Sequence, residues 1–329
     1  MKKLILSLNN LYRVFITLAF LILFYLMLRF PAASVYYAFT GLTLWFQKMI
    51  PSLFPFMILS GIMIRMDLTK YFALILSPLL KPLFKVSGNG AYCIIMGFLC
   101  GFPMGAKVIA DLYEREKISK SEAAYLLRFC NNIGPIYFTS FVLPVLGLTN
   151  YLPYIIGMYG LPLLYGIILC RLPQYNIAQK TKKTMCISDN KNRKSTFVNH
   201  TQTSIGSGYI LEHIDGAIQS AIESITKLGG YMILFNLLNL ICSLVLPEKL
   251  LPIGNLILEI TSGISRIGSS SPVVVLILLP FGGLSCIAQT YSIIKRTELS
   301  IGNYCIHKCI LTVVTTFYYG VFFFFSRRL

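Results

Sequence analysis

The stretch Ala91–Ala110 reads AYCIIMGFLCGFPMGAKVIA. Its length of about 20 residues suits one membrane crossing. Gly101, Pro103 and Gly105 nevertheless interrupt it near the middle, and glycine and proline both weaken helical hydrogen bonding. The pattern therefore predicts two short apolar helices joined by an irregular tip.

The composition predicts that this tip lies in a membrane protein. Of 329 residues, 56% are hydrophobic and 12% are charged, whereas a soluble domain carries about 25% charged residues. Residues 1–34 contain a first apolar run that is long for a cleaved signal peptide and lacks a clear cleavage site. We interpret residues 1–34 as a retained transmembrane helix.

The positive charge is placed as the positive-inside rule predicts. The net charge is +17, and the basic residues lie between apolar runs, which favours membrane orientation over nucleic-acid binding. The densest basic stretch, 171–207, is interpreted as a cytoplasmic loop, and both chain termini are placed in the cytoplasm. Basic residues flank 91–110 on both sides, so this segment should enter from the cytoplasm and turn back as a re-entrant hairpin.

The second half repeats this order of elements on the opposite side of the membrane. A shift of about 180 residues brings Gly101 onto Gly282, which makes 271–290 the second predicted hairpin. Inverted repeats with broken helices are characteristic of secondary transporters. The predicted fold is an all-α polytopic membrane protein with two re-entrant hairpins and interfacial helices. Its parts are helix 1–34, first repeat 35–150 with interfacial helix 35–49, hairpin 91–110, transmembrane helix 151–170, loop 171–207, and second repeat 208–329 with interfacial helix 208–228 and hairpin 271–290.

Candidate binding residues lie where these helices break, because a break leaves backbone N–H and C=O groups available to a solute. Lys107 either contacts that solute or forms an ordinary pair with Asp111 at i+4. Asn131 and Asn132 either coordinate the solute or cap the half-helices, and Glu259 faces either the pathway or the interface. The predicted substrate-binding residues are Gly101, Phe102, Pro103, Met104, Gly105, Lys107, Asn131, Asn132, Gly282, Gly283, Ser285 and Gln289.

Catalytic and metal-binding motifs are not found in the sequence. No Ser-His-Asp arrangement, phosphate loop or paired intramembrane carboxylates can be assembled, and the nine cysteines contain no C-x-x-C. We therefore predict no enzyme activity, no catalytic residue, no metal ligand and no cofactor. The sequence does not identify a coupling ion.

Several short motifs resemble the YlbJ family of sporulation integral membrane proteins, which is grouped with proteins carrying a nucleoside-transporter-like gate domain. They are Leu44-Trp45-Phe46, Pro51-Ser52-Leu53-Phe54-Pro55-Phe56, Gly101-Phe102-Pro103-Met104-Gly105-Ala106-Lys107, Ile118-Ser119-Lys120-x-Glu122 and Cys130-Asn131-Asn132-x-Gly134-Pro135. The resemblance implies a fold similar to concentrative nucleoside transporters. It also implies transport of dipicolinic acid from the mother cell across the outer forespore membrane.

Two other functions stay open at this stage. One is a nucleoside carrier of the same architecture, and the other is a non-transporting scaffold needed for spore cortex assembly, for which loop 171–207 would matter more than the hairpins. The expected partners are the lipid bilayer and a small-molecule anion, without nucleic acid. A homo-oligomer is also left open.

Overall fold

The computed structural model describes residues 2–172 and 207–326. Within these ranges every regular element is helical, so the predicted all-α fold is confirmed. Most of the predicted loop 171–207 lies outside the described residues. The helices are α1 Lys2–Arg29, α2 Pro31–Arg65, α3 Thr69–Ala73, α4 Ser77–Phe84, α5 Gly88–Cys100, α6 Met104–Glu114, α7 Lys120–Leu127, α8 Pro135–Val145, α9 Leu152–Leu169, α10 Ser207–Val245, α11 Leu251–Leu258, α12 Ile260–Ile267, α13 Pro272–Leu278, α14 Gly283–Ile294 and α15 Ile301–Ser326.

Five helical segments of the described chain are long and apolar enough to cross a membrane, which agrees with the predicted polytopic protein. They are Pro31–Arg65, Leu152–Leu169, Tyr209–Val245, Pro272–Ile294 and Ile301–Phe325. The pair α4 and α5 adds a sixth if it is one span, although the two helices are bent by 100°. Apolar side chains such as Phe15, Phe39 and Phe317 are exposed on the surface, as lipid contact requires.

Two predicted interfacial helices are parts of longer helices instead. Residues 35–49 belong to α2, which continues to Arg65 through a π-helical turn at Trp45–Met49. This turn directly precedes Ile50-Pro51, where it accommodates the missing proline N–H without ending the helix. Residues 208–228 likewise continue into α10. Several of the polar residues that suggested interfacial helices, such as Gln47, Lys48 and Gln219, are exposed on the surface of the long helices.

Helices α2 and α10 pack against each other in opposite directions along most of their length. A Cβ added at Gly41 would lie 2.9 Å from Ile233 Cα, and one at Gly61 would lie 3.1 Å from Ala217 Cβ. Small residues permit this close approach between membrane helices. The indole Nε1 of Trp45 donates a hydrogen bond to the Ile225 carbonyl at 2.9 Å between these contacts. Since α2 and α10 occupy matching places in the two halves, their antiparallel packing supports an inverted repeat.

The first hairpin consists of α5 and α6, joined by Gly101, Phe102 and Pro103. A Cβ added at either Gly97 or Gly105 would overlap the same Cys130 carbonyl oxygen. In one continuous helix, residues eight apart are separated by about 12 Å. Shared contact with one oxygen therefore requires the chain to fold back at the tip.

The second hairpin consists of α11 and α12, and Glu259 forms its tip. A Cβ added at Gly263 would lie 2.6 Å from Leu256 Cα, although a continuous helix would separate residues seven apart by about 10 Å. The expectation that 271–290 forms this hairpin is corrected. Helices α13 and α14 instead follow each other within one apolar segment of 23 residues. The break at Leu279–Gly282 interrupts this span without reversing it.

Helices α3 and α4 explain why a constant shift of about 180 residues matched the wrong elements. They lie between the long helix and the hairpin of the first half, whereas α10 leads into α11 through a short turn. The hairpins are therefore offset by a smaller number of residues than the long helices. With that correction, the broken helix pair α7 and α8 of the first half corresponds to the broken pair α13 and α14 of the second half.

Candidate binding site

The tip of the first hairpin meets the break between α7 and α8. Gly101 has a φ of +86°, and a Cβ added there would lie 2.6 Å from Gly134 Cα. A side chain at Gly101 would therefore separate the two segments, in addition to straining the backbone. The break after α7 and the hairpin tip are consequently packed directly against each other.

The break between α13 and α14 lies against both hairpins. A Cβ added at Gly282 would lie 2.9 Å from the Phe102 ring, and one at Gly283 would lie 3.2 Å from the Leu256 carbonyl oxygen. The structure thus brings the predicted residues Gly101, Phe102, Gly282 and Gly283 into one region, with the second hairpin beside them.

An apolar cavity of about 50 Å³ lies where these breaks meet. Its wall includes residues from both hairpins, both breaks and both long helices. Its lining includes Phe102, Tyr137, Glu259, Thr261, Cys286 and Gln289.

A polar cavity of about 170 Å³ adjoins the apolar one, since Leu228 and Gln289 line both. Pro103 from the first tip also lines it. Its charged lining residues are Lys107, Lys227, Lys295, Arg296, Asp111, Glu114 and Glu223. The excess of one basic group gives this cavity a net positive lining, which favours anions.

Lys107 forms the pair with Asp111, which was one of the two interpretations that the sequence left open. Its Nζ lies 3.3 Å from the Asp111 carboxylate and donates a hydrogen bond to Ser220 Oγ at 3.1 Å. The side chain is buried, yet it lines the polar cavity. The ordinary i+4 pair is therefore present, and it faces the space that a solute would occupy.

Asn131 is fully buried and connects three segments of the site. Its Oδ1 accepts a hydrogen bond from Ala106 N in the first turn of α6, at 3.2 Å. Its Nδ2 donates to Thr290 Oγ1 and to the Tyr304 hydroxyl, both at 3.1 Å. Asn131 thus satisfies an N–H at the start of α6, whereas the capping interpretation had placed it on the half-helices of its own break.

Lys308 on α15 is the residue that sequence reasoning missed. It is fully buried, and its Nζ donates to the Asn131 carbonyl oxygen and, at 3.1 Å, to Asn132 Oδ1. The ammonium also lies 4.6 Å from the centre of the Phe102 ring. The ion pairs found in the described ranges do not include Lys308. A lysine within an apolar helix was the available signal, by the same rule that identified Lys107.

Glu259 is buried at the tip of the second hairpin. Its carboxylate accepts hydrogen bonds from Thr261 N at 3.1 Å and Ser262 N at 2.7 Å, which caps the start of α12. Asn236 Nδ2 approaches the same carboxylate at 3.4 Å. Glu259 is therefore not solvated at the interface, and its side chain lines the apolar cavity.

Three other predicted residues serve packing rather than the cavity lining. Met104 is buried in the core formed around the first hairpin. Gly105 allows close approach to Asn131, whose Cα would lie 3.0 Å from an added Cβ. Ser285 is buried on α14 and accepts a hydrogen bond from Gln289 Nε2 at 3.0 Å. Gln289 itself faces both cavities.

Comparison with known proteins agrees with the resemblance found in the motifs. Residues 46–161 match the family model described as "Gate: Nucleoside recognition". The chain is 26% identical over 311 residues to "Sporulation integral membrane protein YlbJ" of Bacillus subtilis (strain 168), which covers 85% of this chain and 75% of that protein. No solved structure gives a significant match. The predicted resemblance is confirmed, and both similarities indicate a transporter-like integral membrane protein.

Proposed function

We propose that this protein transports a small organic anion across a membrane, with dipicolinic acid as its substrate. The observation that carries the proposal is Lys308, a fully buried lysine whose hydrogen-bond acceptors are the neutral oxygens of Asn131 and Asn132. A charge inside a membrane protein is costly unless an opposite charge compensates it. A carboxylate of the substrate would supply that compensation.

The helix breaks add to the attraction for an anion. Helices α6, α8 and α14 all begin at breaks that meet around the apolar cavity, at Met104, Pro135 and Gly283. The N-terminus of a helix carries a partial positive charge. Glu259 is the acid that lines the apolar cavity among the described residues, and its carboxylate accepts hydrogen bonds from two N–H groups of α12.

The size of the cavity defines what transport requires. An apolar cavity of about 50 Å³ has room for one or two water molecules but not for an aromatic diacid. Binding therefore requires a hairpin tip to move away, for which the adjoining polar cavity of about 170 Å³ offers an approach. Movement of gates around a central site is how secondary transporters expose a substrate to alternate sides.

The cellular setting belongs to the same proposal. The similarity to a sporulation integral membrane protein supports a role during spore formation. We place the protein in the outer forespore membrane of the mother cell, with both termini in the cytoplasm. In that position it would deliver dipicolinic acid toward the developing spore.

The test is uptake of radiolabelled dipicolinate into proteoliposomes containing purified protein. Lys308→Met should weaken apparent affinity by about 10- to 100-fold, because a hydrogen bond to a charged group contributes about 1.5–3 kcal/mol. Lys70→Met, at an exposed lysine on α3, is the matched control and should leave uptake unchanged. Wild-type uptake no greater than that of empty liposomes would refute the proposal.

A nucleoside is the second candidate substrate, since residues 46–161 match a nucleoside-recognition model. The same proteoliposomes distinguish the two substrates by competition. An excess of unlabelled uridine or adenosine should leave dipicolinate uptake unchanged if the anion is the substrate. Saturable uridine uptake that persists in Lys308→Met would instead favour the nucleoside carrier.

A further inference from the structure

Three buried asparagines between α10 and α11 have polar atoms without partners. Asn236 and Asn239 are fully buried and Asn255 is 2% exposed. The atoms without a hydrogen-bond partner are Asn236 Oδ1, Asn255 Oδ1, and both Oδ1 and Nδ2 of Asn239. Buried polar groups are nearly always paired, so unpaired amides gathered in one place indicate a missing partner.

These amides lie along one contact between the two helices. Asn236 Nδ2 is 3.4 Å from the Glu259 carboxylate at one end of the contact. At the other end, a Cβ added at Gly254 would lie 3.5 Å from Cys242 Sγ. Asn239 lies three residues from both Asn236 and Cys242, and so it falls on the same helix face between these two contacts.

Asn255 completes the arrangement from the opposite helix. It is next to Gly254, and its carbonyl oxygen accepts a hydrogen bond from Glu259 N at 2.9 Å. Asn255 therefore lies one turn before the hairpin tip, next to the contact of Gly254 with α10. Three buried amide side chains and one buried carboxylate thus lie near the tip of the second hairpin.

We propose that Asn236, Asn239, Asn255 and Glu259 bind a monovalent cation of the Na⁺ type. Carboxylate and amide oxygens are the ligands that hard cations prefer. The single negative charge of Glu259 balances one positive charge, whereas a divalent ion would require a second acid. Glu259 takes part in none of the ion pairs of the described chain, so its charge is available to the cation.

The position of the cation would connect it to the central site. Glu259 and Thr261 of the second hairpin line the apolar cavity, and Asn236 and Asn239 belong to the long helix α10. A cation bound there would hold the second hairpin against α10. Its use as a coupling ion rests on the proposed transport function, but its binding does not.

The experiment measures the thermal unfolding midpoint of the purified full-length protein in detergent. Sodium chloride is compared with choline chloride at equal ionic strength, since a ligand that binds the folded state raises the midpoint. We expect sodium to raise the midpoint of the wild type by several degrees. The shift should be absent in Asn239→Leu and Glu259→Gln, and retained in the matched control Asn303→Leu, whose asparagine is exposed on α15.

Asn239→Leu keeps the test valid even if Glu259→Gln disturbs the cap of α12. Leucine removes the unpaired amide, so this variant should be at least as stable as the wild type in choline. A wild-type midpoint that is identical in sodium and choline, or a full sodium shift in Asn239→Leu, would overturn the cation site. A larger shift with calcium than with sodium would overturn the assignment to a monovalent ion.

The two proposals can fail separately. A sodium-dependent midpoint in a protein that transports no dipicolinate would reject the transport proposal and retain the cation site. Dipicolinate uptake without any sodium effect on the midpoint would do the reverse.

Discussion

A charge placed beside Lys308 tests anion recognition without changing the shape of the site. Asn132→Asp is nearly isosteric, and Asn132 Oδ1 lies 3.1 Å from Lys308 Nζ. The variant would provide the internal counter-charge that the wild type lacks. The substrate carboxylate would then have to compete with the introduced carboxylate for the same ammonium group.

The expected size of the effect follows from this distance. Two unit charges 3.1 Å apart attract each other by about 5 kcal/mol at an effective dielectric constant of about 20. Each 1.4 kcal/mol is a tenfold change in affinity, so we expect dipicolinate affinity to fall by at least about 100-fold. Asn132→Asp also loses the hydrogen bond from Nδ2 to the Phe129 carbonyl, which contributes about 1 kcal/mol. Because the buried lysine gains a partner, the fold should keep its stability.

The assay combines dipicolinate uptake into proteoliposomes with the thermal midpoint of the same preparation. Asn303→Asp carries the same substitution at an exposed position of α15 and serves as the control for added negative charge. We expect uptake to be lost only in Asn132→Asp, with both midpoints close to that of the wild type. A folded Asn132→Asp protein with a KM for dipicolinate within about twofold of the wild type would refute the role of Lys308.

Three further predictions address other parts of the molecule. Lys107→Ala should lower the dipicolinate content of spores at unchanged protein level, because its ammonium lines the polar cavity; unchanged content would remove this residue from the pathway. Gly263→Val should lower the thermal midpoint by disrupting the second hairpin, at a cost above about 2 kcal/mol, whereas Gly230→Ala, where a Cβ meets nothing within 4 Å, should be neutral or stabilising. The exposed ion pair with Lys120 lowers the pKa of Glu298 from its ordinary 4.5. The small stabilisation from this ion pair is therefore present above pH 4.5 and is lost as the pH falls through the lowered pKa, so the thermal midpoints of the wild type and Glu298→Gln should converge in acid.

The two helix breaks of the first half were predictable from the sequence. Gly101 and Pro103 interrupt an apolar run, and such interruptions have direct physical causes in backbone geometry. Asn131 and Asn132 are amides at a second interruption, and the structure places them beside the first. The capping interpretation was also accessible, because a break leaves helical N–H groups that require acceptors.

The second hairpin was harder to predict because its tip carries a glutamate rather than a glycine or proline. Pro280 and Gly282 gave the stronger turn signal, although they interrupt a through-going span. Helices α3 and α4, which are inserted in the first half, then changed the number of residues that separates matching elements of the two halves. Lys308 was overlooked although it lies within an apolar helix, and its contacts with Asn131 and Asn132, which lie far from it in sequence, became visible only in the structure.

Helices α3 and α4 have one more consequence, which concerns the order in which parts of the molecule open. Thr69 Oγ1 donates to Asn89 Oδ1 at 2.8 Å, and Asn89 Nδ2 donates to the Lys117 carbonyl at 3.2 Å. These hydrogen bonds connect the start of α5 and the segment after α6 to each other and to α3. The second hairpin instead follows α10 through a short turn. Local opening requires less free energy where fewer contacts must be broken. Backbone amides of α11 and α12 should therefore exchange with deuterium before those of α5 and α6, which would make the second hairpin the moving gate and the first its fixed counterpart.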